Sequence, residues 1–183
     1  MPRQVHLFDR PSRFVAGTVG QPGDRTFYLQ ASDDAGRTVS VALEKTQVQV
    51  LADRMNELLD EVSNRADSVI PAEADVDDLE PLTAPVEEEF RVAAMGLAWD
   101  GTAEAVVVEA VAAGEEPIDE DAILSDSDEG PDALRVTITP MAARAFVARA
   151  LRVVAAGRPS CPLCSLPLEP VGHVCPRQNG YRR

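Results

Sequence analysis

The sequence predicts an α+β fold, in which helices cover an antiparallel sheet and a small zinc-ribbon-like tail follows. Three observations predict it: short segments rich in β-branched and aromatic residues are separated by turn residues, an apolar stripe with helical spacing follows each group, and all three cysteines lie near the C-terminus. With 183 residues, 45% of them hydrophobic, the chain can bury a sizeable core. We expect an α+β body at residues 1–156 and a zinc-binding tail at residues 157–183.

The first half of the body, residues 1–66, carries a strand pattern and then a helix pattern. Its predicted strands are residues 4–8, 13–20, 26–32 and 37–43, the last three separated by Gln-Pro-Gly-Asp and Asp-Asp-Ala-Gly turns. From Glu44 to Arg65 the apolar residues recur three and four positions apart, which predicts a helix that faces the sheet.

The second half, residues 87–156, repeats this order. Its predicted strands are residues 89–99, 102–111 and 133–139, and a helix begins at Pro140, a favoured first helical position. An offset of 95 residues lays Val41 on Val136 and Leu43 on Ile138. We therefore predict an internal pseudo-repeat of a βββα unit. The alternative is that any amphipathic strand followed by a helix aligns in this way.

Two segments of the body lack apolar periodicity. Residues 67–86 contain three prolines and many acidic residues, which is typical of a linker. Residues 114–132 hold nine acidic residues and no basic one, and predict a solvated acidic loop. Its Asp-Ser-Asp-Glu-Gly stretch resembles part of a calcium loop but lacks the full spacing and the terminal bidentate glutamate.

The net charge of −14 is unevenly distributed. Four arginines against Glu169 give the tail +3, which leaves −17 for the body. An acidic body repels phosphate backbones, so the charge argues against nucleic acid as a partner of the body. The tail arginines remain an alternative nucleic-acid contact; they are Arg158, Arg177, Arg182 and Arg183.

The N-terminal ten residues contain no apolar run of the length that a secretory signal needs. The longest apolar stretch, residues 105–113, is interrupted by Glu109 and is too short to span a membrane. We therefore expect a cytoplasmic protein without membrane segments. In a reducing compartment, clustered cysteines indicate metal ligands or redox groups rather than disulfides.

The cysteine cluster has the spacing of a metal site. Cys161 and Cys164 form a Cys-x₂-Cys turn, and His173 and Cys175 form His-x-Cys, whose side chains share one face of an extended segment. Three thiolates and one imidazole complete a tetrahedral zinc site and leave no position for water or substrate. The sequence therefore predicts a structural Cys₃His zinc site in a tail too short to fold on apolar burial alone.

Other interpretations of these cysteines remain open. A thioredoxin-like redox pair needs its Cys-x-x-Cys at the start of a helix, whereas Pro162 lies inside this motif and more prolines follow. Iron is less favoured because a histidine ligand suits zinc. Unligated thiols would leave the clustering unexplained. Outside the tail, His6 is interpreted as an ordinary strand residue, and the sequence predicts no catalytic residue.

Three segments carry a resemblance to a known family: residues 14–31, residues 39–62, and Cys-Pro-Leu-Cys-Ser-Leu-Pro-Leu-Glu-Pro-Val-Gly-His-Val-Cys with the residues after it. Together they resemble the domain-of-unknown-function family 3090, an uncharacterised group of bacterial proteins from high-GC organisms. The resemblance covers nearly the whole chain. It implies a zinc-ribbon-like C-terminus and assigns no activity to any residue.

Three functional hypotheses follow. The leading one is a non-enzymatic interaction or regulatory protein, in which a tail folded around a structural zinc ion recognises a protein partner. The second is an enzyme whose site lies between the two βββα halves and uses carboxylates that the acidic composition hides. The third is nucleic-acid contact by the tail alone.

Overall fold

The computed structural model describes residues 3–65, 70, 72, 74, 77–114, 118, 123–127, 129–157, 161–166, 168 and 173–177. Within these residues the chain forms a seven-stranded sheet and two helices. The strands are β1 (Val5–Asp9), β2 (Arg13–Gln21), β3 (Asp24–Ser32), β4 (Thr38–Leu43), β5 (Glu88–Asp100), β6 (Ala105–Ala112) and β7 (Ala133–Ile138). The helices are α1 (Lys45–Arg65) and α2 (Pro140–Ala155). The α+β class and the order of the predicted strands and helices are confirmed.

The sheet is mixed, with the strand order β1-β7-β6-β5-β4-β3-β2. Pairing is antiparallel within β2-β3-β4 and within β5-β6-β7, as the sequence predicts. The prediction of a wholly antiparallel sheet is wrong, because β4 pairs with β5 and β1 pairs with β7 in parallel. Parallel neighbours need a crossover connection, and α1 with the linker after it provides one between β4 and β5.

The sheet curls until its two end strands approach each other. β1 and β2 lie at opposite ends of the strand order, yet only residues 10–12 join them. Seven strands laid flat would separate the end strands by roughly 29 Å, whereas this connection reaches at most about 14 Å. A contact across the gap agrees with the curl: the guanidinium of Arg37, which lies just before β4, is 4.0 Å from the centre of the Phe8 ring on β1.

Both helices pack on the concave side of the curled sheet. α1 and α2 contact each other, and α2 contacts both β2 and β6, which lie four positions apart in the sheet. Val39, Val41 and Leu43 are buried in the same core as the apolar stripe of α1. Phe146 of α2 stacks on Phe14 of β2 with ring centres 4.8 Å apart. The alternating strand pattern and the helical stripe therefore face each other across one core.

Residues between the two halves cover the opposite face of the first meander. A β-carbon on Gly17 would lie 2.6 Å from the Leu82 side chain, so glycine lets this leucine lie directly on β2. The buried Gln30 amide donates to Thr83 O at 3.0 Å and accepts from Thr83 N at 2.7 Å. The predicted linker is thus part of the folded body where the structure describes it.

The described part of the acidic loop covers the second meander in the same manner. A β-carbon on Gly96 would lie 2.4 Å from the Ile123 side chain. Asp126 pairs with Arg135 at 2.7 Å while remaining 95% exposed. Residues 115–117, 119–122 and 128 of this loop lie outside the described residues.

The predicted pseudo-repeat remains a prediction. β4 with α1 and β7 with α2 begin at positions that differ by the predicted offset, Thr38 and Ala133 for the strands and Lys45 and Pro140 for the helices. The preceding strands do not share this offset, since β3 begins at Asp24 and β6 at Ala105.

In the described part of the chain, neither helix has the length and apolar character needed to cross a bilayer.

Candidate metal centre

The Cys-Pro-Leu-Cys segment forms a tight turn held by its own backbone. Ser165 N donates to Cys161 O at 2.9 Å, and Cys161 N donates to Leu166 O at 2.8 Å. Ser165 has a φ of 62°, a left-handed conformation that closes the turn. The turn brings the side chains of Cys161 and Cys164 together, as two ligands of one ion require.

His173 and Cys175 complete the cluster from the following segment. The ligand atoms of Cys161, Cys164, His173 and Cys175 all lie within 4.8 Å of one another. Cys161 Sγ lies 3.9 Å from Cys175 Sγ, and Cys164 Sγ lies 3.3 Å from His173 Nε2.

These separations suit coordination of a single ion. A tetrahedral ion with metal–sulfur bonds of about 2.3 Å holds its sulfur atoms about 3.8 Å apart. A disulfide would bring two sulfur atoms to about 2.0 Å. The cluster therefore has the size of a metal site and is too wide for a disulfide between Cys161 and Cys175.

In the tail, two cysteines are buried while several apolar side chains are exposed, which is the opposite of the burial expected for a unit that folds around an apolar core. Cys161 and Cys175 are only 5% and 3% exposed. The leucines Leu163 and Leu166 and the neighbouring Val174 are 49%, 50% and 79% exposed. Two of the three thiols are thus at the centre of this small unit, and these apolar side chains lie on its surface.

Backbone hydrogen bonds prepare one thiol for metal binding. The N–H groups of Cys164 and Leu163 point at Cys161 Sγ and lower the pKa of the Cys161 thiol. The thiolate is the form that binds a metal. At Cys164 the Leu166 N–H acts in the same direction, but burial and the neighbouring thiols outweigh it and raise the pKa. The two shifts differ because thiols this close together cannot all ionise easily without a cation.

The structure brings together all four residues that the spacing singles out as metal ligands. In the described residues 161–166 the Cys-x₂-Cys segment is a turn followed by irregular chain, whereas a thioredoxin-like pair needs the start of a helix. Of the tail arginines, Arg177 is described and exposed. Arg158, Arg182 and Arg183 lie outside the described residues.

His6 lies on β1, with its Nε2 atom 3.6 Å from a carboxylate oxygen of Glu89. This is the ordinary strand position that the sequence analysis expects. Sequence reasoning missed the buried ion pairs of the body. Glu109 is fully buried between Arg3 and Arg135, with a carboxylate oxygen 2.5 Å from each guanidinium. In the sequence, its only signal is that it interrupts an apolar run.

Comparison with known proteins adds the family and no activity. A family model described as protein of unknown function, DUF3090, matches residues 6–175 and so includes all four residues of the cluster. No curated protein and no solved structure matches the chain. Because the matched region covers nearly the whole sequence, the chain belongs to the DUF3090 family of proteins of unknown function.

Proposed function

We propose that Cys161, Cys164, His173 and Cys175 bind one structural zinc ion, and that the tail folded around it recognises another protein. The observation that carries the proposal is the convergence of three sulfur atoms and one imidazole nitrogen within 4.8 Å. Zinc suits this mixture of soft thiolates and imidazole in tetrahedral geometry. The proposed role is that of a non-enzymatic interaction or regulatory module in the cytoplasm.

A structural role is favoured because four protein ligands fill a tetrahedral ion. A catalytic zinc ion keeps one position for water or substrate, and this ligand set leaves none. The exposed leucines of the tail provide little burial, so ion binding supplies much of the free energy that folds it. We propose on these grounds that the tail is a small zinc-ribbon-like unit, separate from the body.

Protein recognition is supported by the apolar surface that the cluster displays. Leu163, Leu166 and Val174 are exposed beside the ligands. Leu163 and Leu166 lie in the hydrogen-bonded turn that carries Cys161 and Cys164, and Val174 lies between His173 and Cys175. Exposed apolar groups on a rigid scaffold are typical of protein-binding surfaces. The body would support the tail that carries this surface. We also propose that the two βββα units of the body arose by duplication.

Metal analysis of the purified full-length chain tests the first step. We expect about one equivalent of zinc per chain, lost in Cys161→Ser and retained in Ser165→Ala, which changes the same turn without removing a ligand. In two-dimensional NMR spectra, the signals of residues 161–177 should lose dispersion when a chelator removes the ion, while signals of the body stay in place. A chain without metal whose tail signals remain dispersed contradicts the proposal.

A partner search tests the second step. Affinity capture is run with the zinc-loaded protein, with Leu166→Glu and with Val174→Glu, each after its zinc content has been shown to equal that of the wild type. The proposal expects a partner that the wild type retains and both variants lose. Recovery of the same proteins by all three would place any interaction elsewhere on the chain.

A further inference from the structure

A second feature lies at one end of the curled sheet. A cleft of about 390 Å³ opens where β3 begins and β4 ends, next to Gly157, the second residue after α2. We call it the basic cleft. Its charged lining residues are Arg25, Lys45, Arg91 and Glu44, and Phe27 and Leu43 form its buried apolar floor.

The charge of the basic cleft is opposite to that of the protein. The whole chain carries −14, yet three of the four charged residues that line this cleft are basic. Glu44 pairs with Arg91 at 2.9 Å, and Glu88 lies 4.0 Å from the same guanidinium. These two carboxylates outweigh Arg91, so the charged groups around the cleft keep a net excess of one positive charge, and its cations without an ion pair among the described residues are Arg25 and Lys45.

Arg25 is fixed in position. Its guanidinium donates to Val153 O and to Ala156 O, both at 3.2 Å, and lies 4.8 Å from the centre of the Phe27 ring. These carbonyls lie at the C-terminal end of α2 and offset the positive charge only in part, since they carry a partial negative charge and no full one. The orientation of a charge at the cleft wall is thus set before any ligand arrives.

Lys45 is the single lysine of the chain. Its Nζ atom lies 3.3 Å from the place where a β-carbon on Gly157 would be, so the ammonium group reaches across the cleft towards the end of α2. It forms no ion pair with any residue that the structure describes. An ammonium group of this kind is a mobile point charge of the type that contacts phosphate.

We propose that the basic cleft binds a small phosphate-bearing ligand through Lys45 and Arg25. The volume lies within the range of small-ligand sites, and a few polar groups over an apolar floor are what such sites contain. An anion would pair with the two cations, Arg25 and Lys45, that form no ion pair with any residue that the structure describes. The site lies in the body, so it does not depend on the metal or on the partner proposed for the tail.

Titration of full-length, zinc-loaded protein with inorganic phosphate at low ionic strength tests this inference. Two-dimensional NMR should show saturable shifts at Gly23, Phe27 and Lys45. Lys45→Gln should weaken binding roughly tenfold, as expected for the loss of one charge-assisted hydrogen bond. Arg54→Gln is the matched control, because Arg54 lies on the same helix and is exposed in a pair with Glu57. It should leave the affinity unchanged.

Three results would overturn the inference. One is the absence of saturable shifts. Another is an equal loss of affinity in Lys45→Gln and Arg54→Gln, which would indicate a diffuse effect of charge. The third is a set of shifts confined to residues 161–177, which would place the anion at the tail. Circular dichroism and thermal melting first establish that Lys45→Gln and Arg54→Gln are both folded, and only then are their affinities compared.

Discussion

Replacing Glu109 with glutamine is expected to destabilise the body by about 3 kcal/mol. Glu109 lies in the middle of β6 and is fully buried, with one carboxylate oxygen 2.5 Å from Arg3 and the other 2.5 Å from Arg135. The glutamine amide can accept from one guanidinium, but its NH₂ group meets the other, donor against donor.

The magnitude follows from what each arginine retains. Arg135 keeps Asp126 at 2.7 Å, so its charge stays paired. Among the described residues, Arg3 keeps only carbonyl acceptors, Pro131 O at 3.0 Å and Ser127 O at 3.3 Å, and its side chain is 3% exposed. Breaking a buried pair costs about 3–5 kcal/mol because a charge is left unpaired. The one hydrogen bond that glutamine retains recovers about 1 kcal/mol.

Urea unfolding followed by the fluorescence of Trp99 measures the effect. Trp99 is the single tryptophan, lies on β5 and packs against the core, so its signal reports on the body rather than on the tail. The midpoint should fall without a change in slope. The melting temperature should fall by roughly 6–12 °C for a chain of this size.

Glu57→Gln is the control, because Glu57 is 67% exposed in its pair with Arg54 and such pairs contribute little. A second variant combines Glu109→Leu with Arg3→Met and should recover much of the lost stability, because no unpaired charge remains. The reasoning is refuted if Glu109→Gln and Glu57→Gln unfold within about 0.5 kcal/mol of each other.

Two further predictions concern the covered face of the first meander. Gly17→Ala should lower the free energy of unfolding by about 1–3 kcal/mol, because the new methyl group meets the Leu82 side chain at 2.6 Å. The control is Gly101→Ala, whose nearest atom is 3.8 Å away and whose cost should be less than about 1 kcal/mol. Thermal melting compares the two variants. The Arg13 guanidinium lowers the pKa of Asp78, so this pair stabilises the fold above the unfolded pKa and loses its effect as pH falls through the lower folded value. Asp78→Asn should therefore lower the unfolding free energy at pH 7 and make it less sensitive to acid, and equal acid sensitivity of variant and wild type would contradict this.

Local patterns predicted the strands and helices well because burial follows the side-chain period. Val39, Val41 and Leu43 alternate in the sequence, and all three are buried in the core. The start of β6 was predicted too early because Asp100 Oδ1 accepts from Thr102 N and Ala103 N, which extends the turn. Thr102 and Ala103 belong to this turn, but in the sequence they look like the first residues of the strand that follows.

Long-range pairing was not predictable from local patterns. The parallel contact of β1 with β7 joins Val5 to Ala133, far apart in the chain, and no local signal selects this partner. The buried arginines of α2 were also missed. Arg144 and Arg149 lie in an apolar helix, and only the fold shows that Asp60 and Asp78 pair with them. The convergence of Cys161, Cys164, His173 and Cys175 was predicted because residue type and spacing, rather than long-range packing, determine it.

The pairing of β1 with β7 interleaves the two halves of the body. The strand that completes the second meander comes from the start of the chain, so a cut between α1 and β5 yields two fragments, of which the first supplies an edge strand to the second. The fragments should recover the fold when mixed and lack it when separate. During synthesis on the ribosome, β1 must wait for β7 to emerge, and the sheet closes only once most of the body has been made.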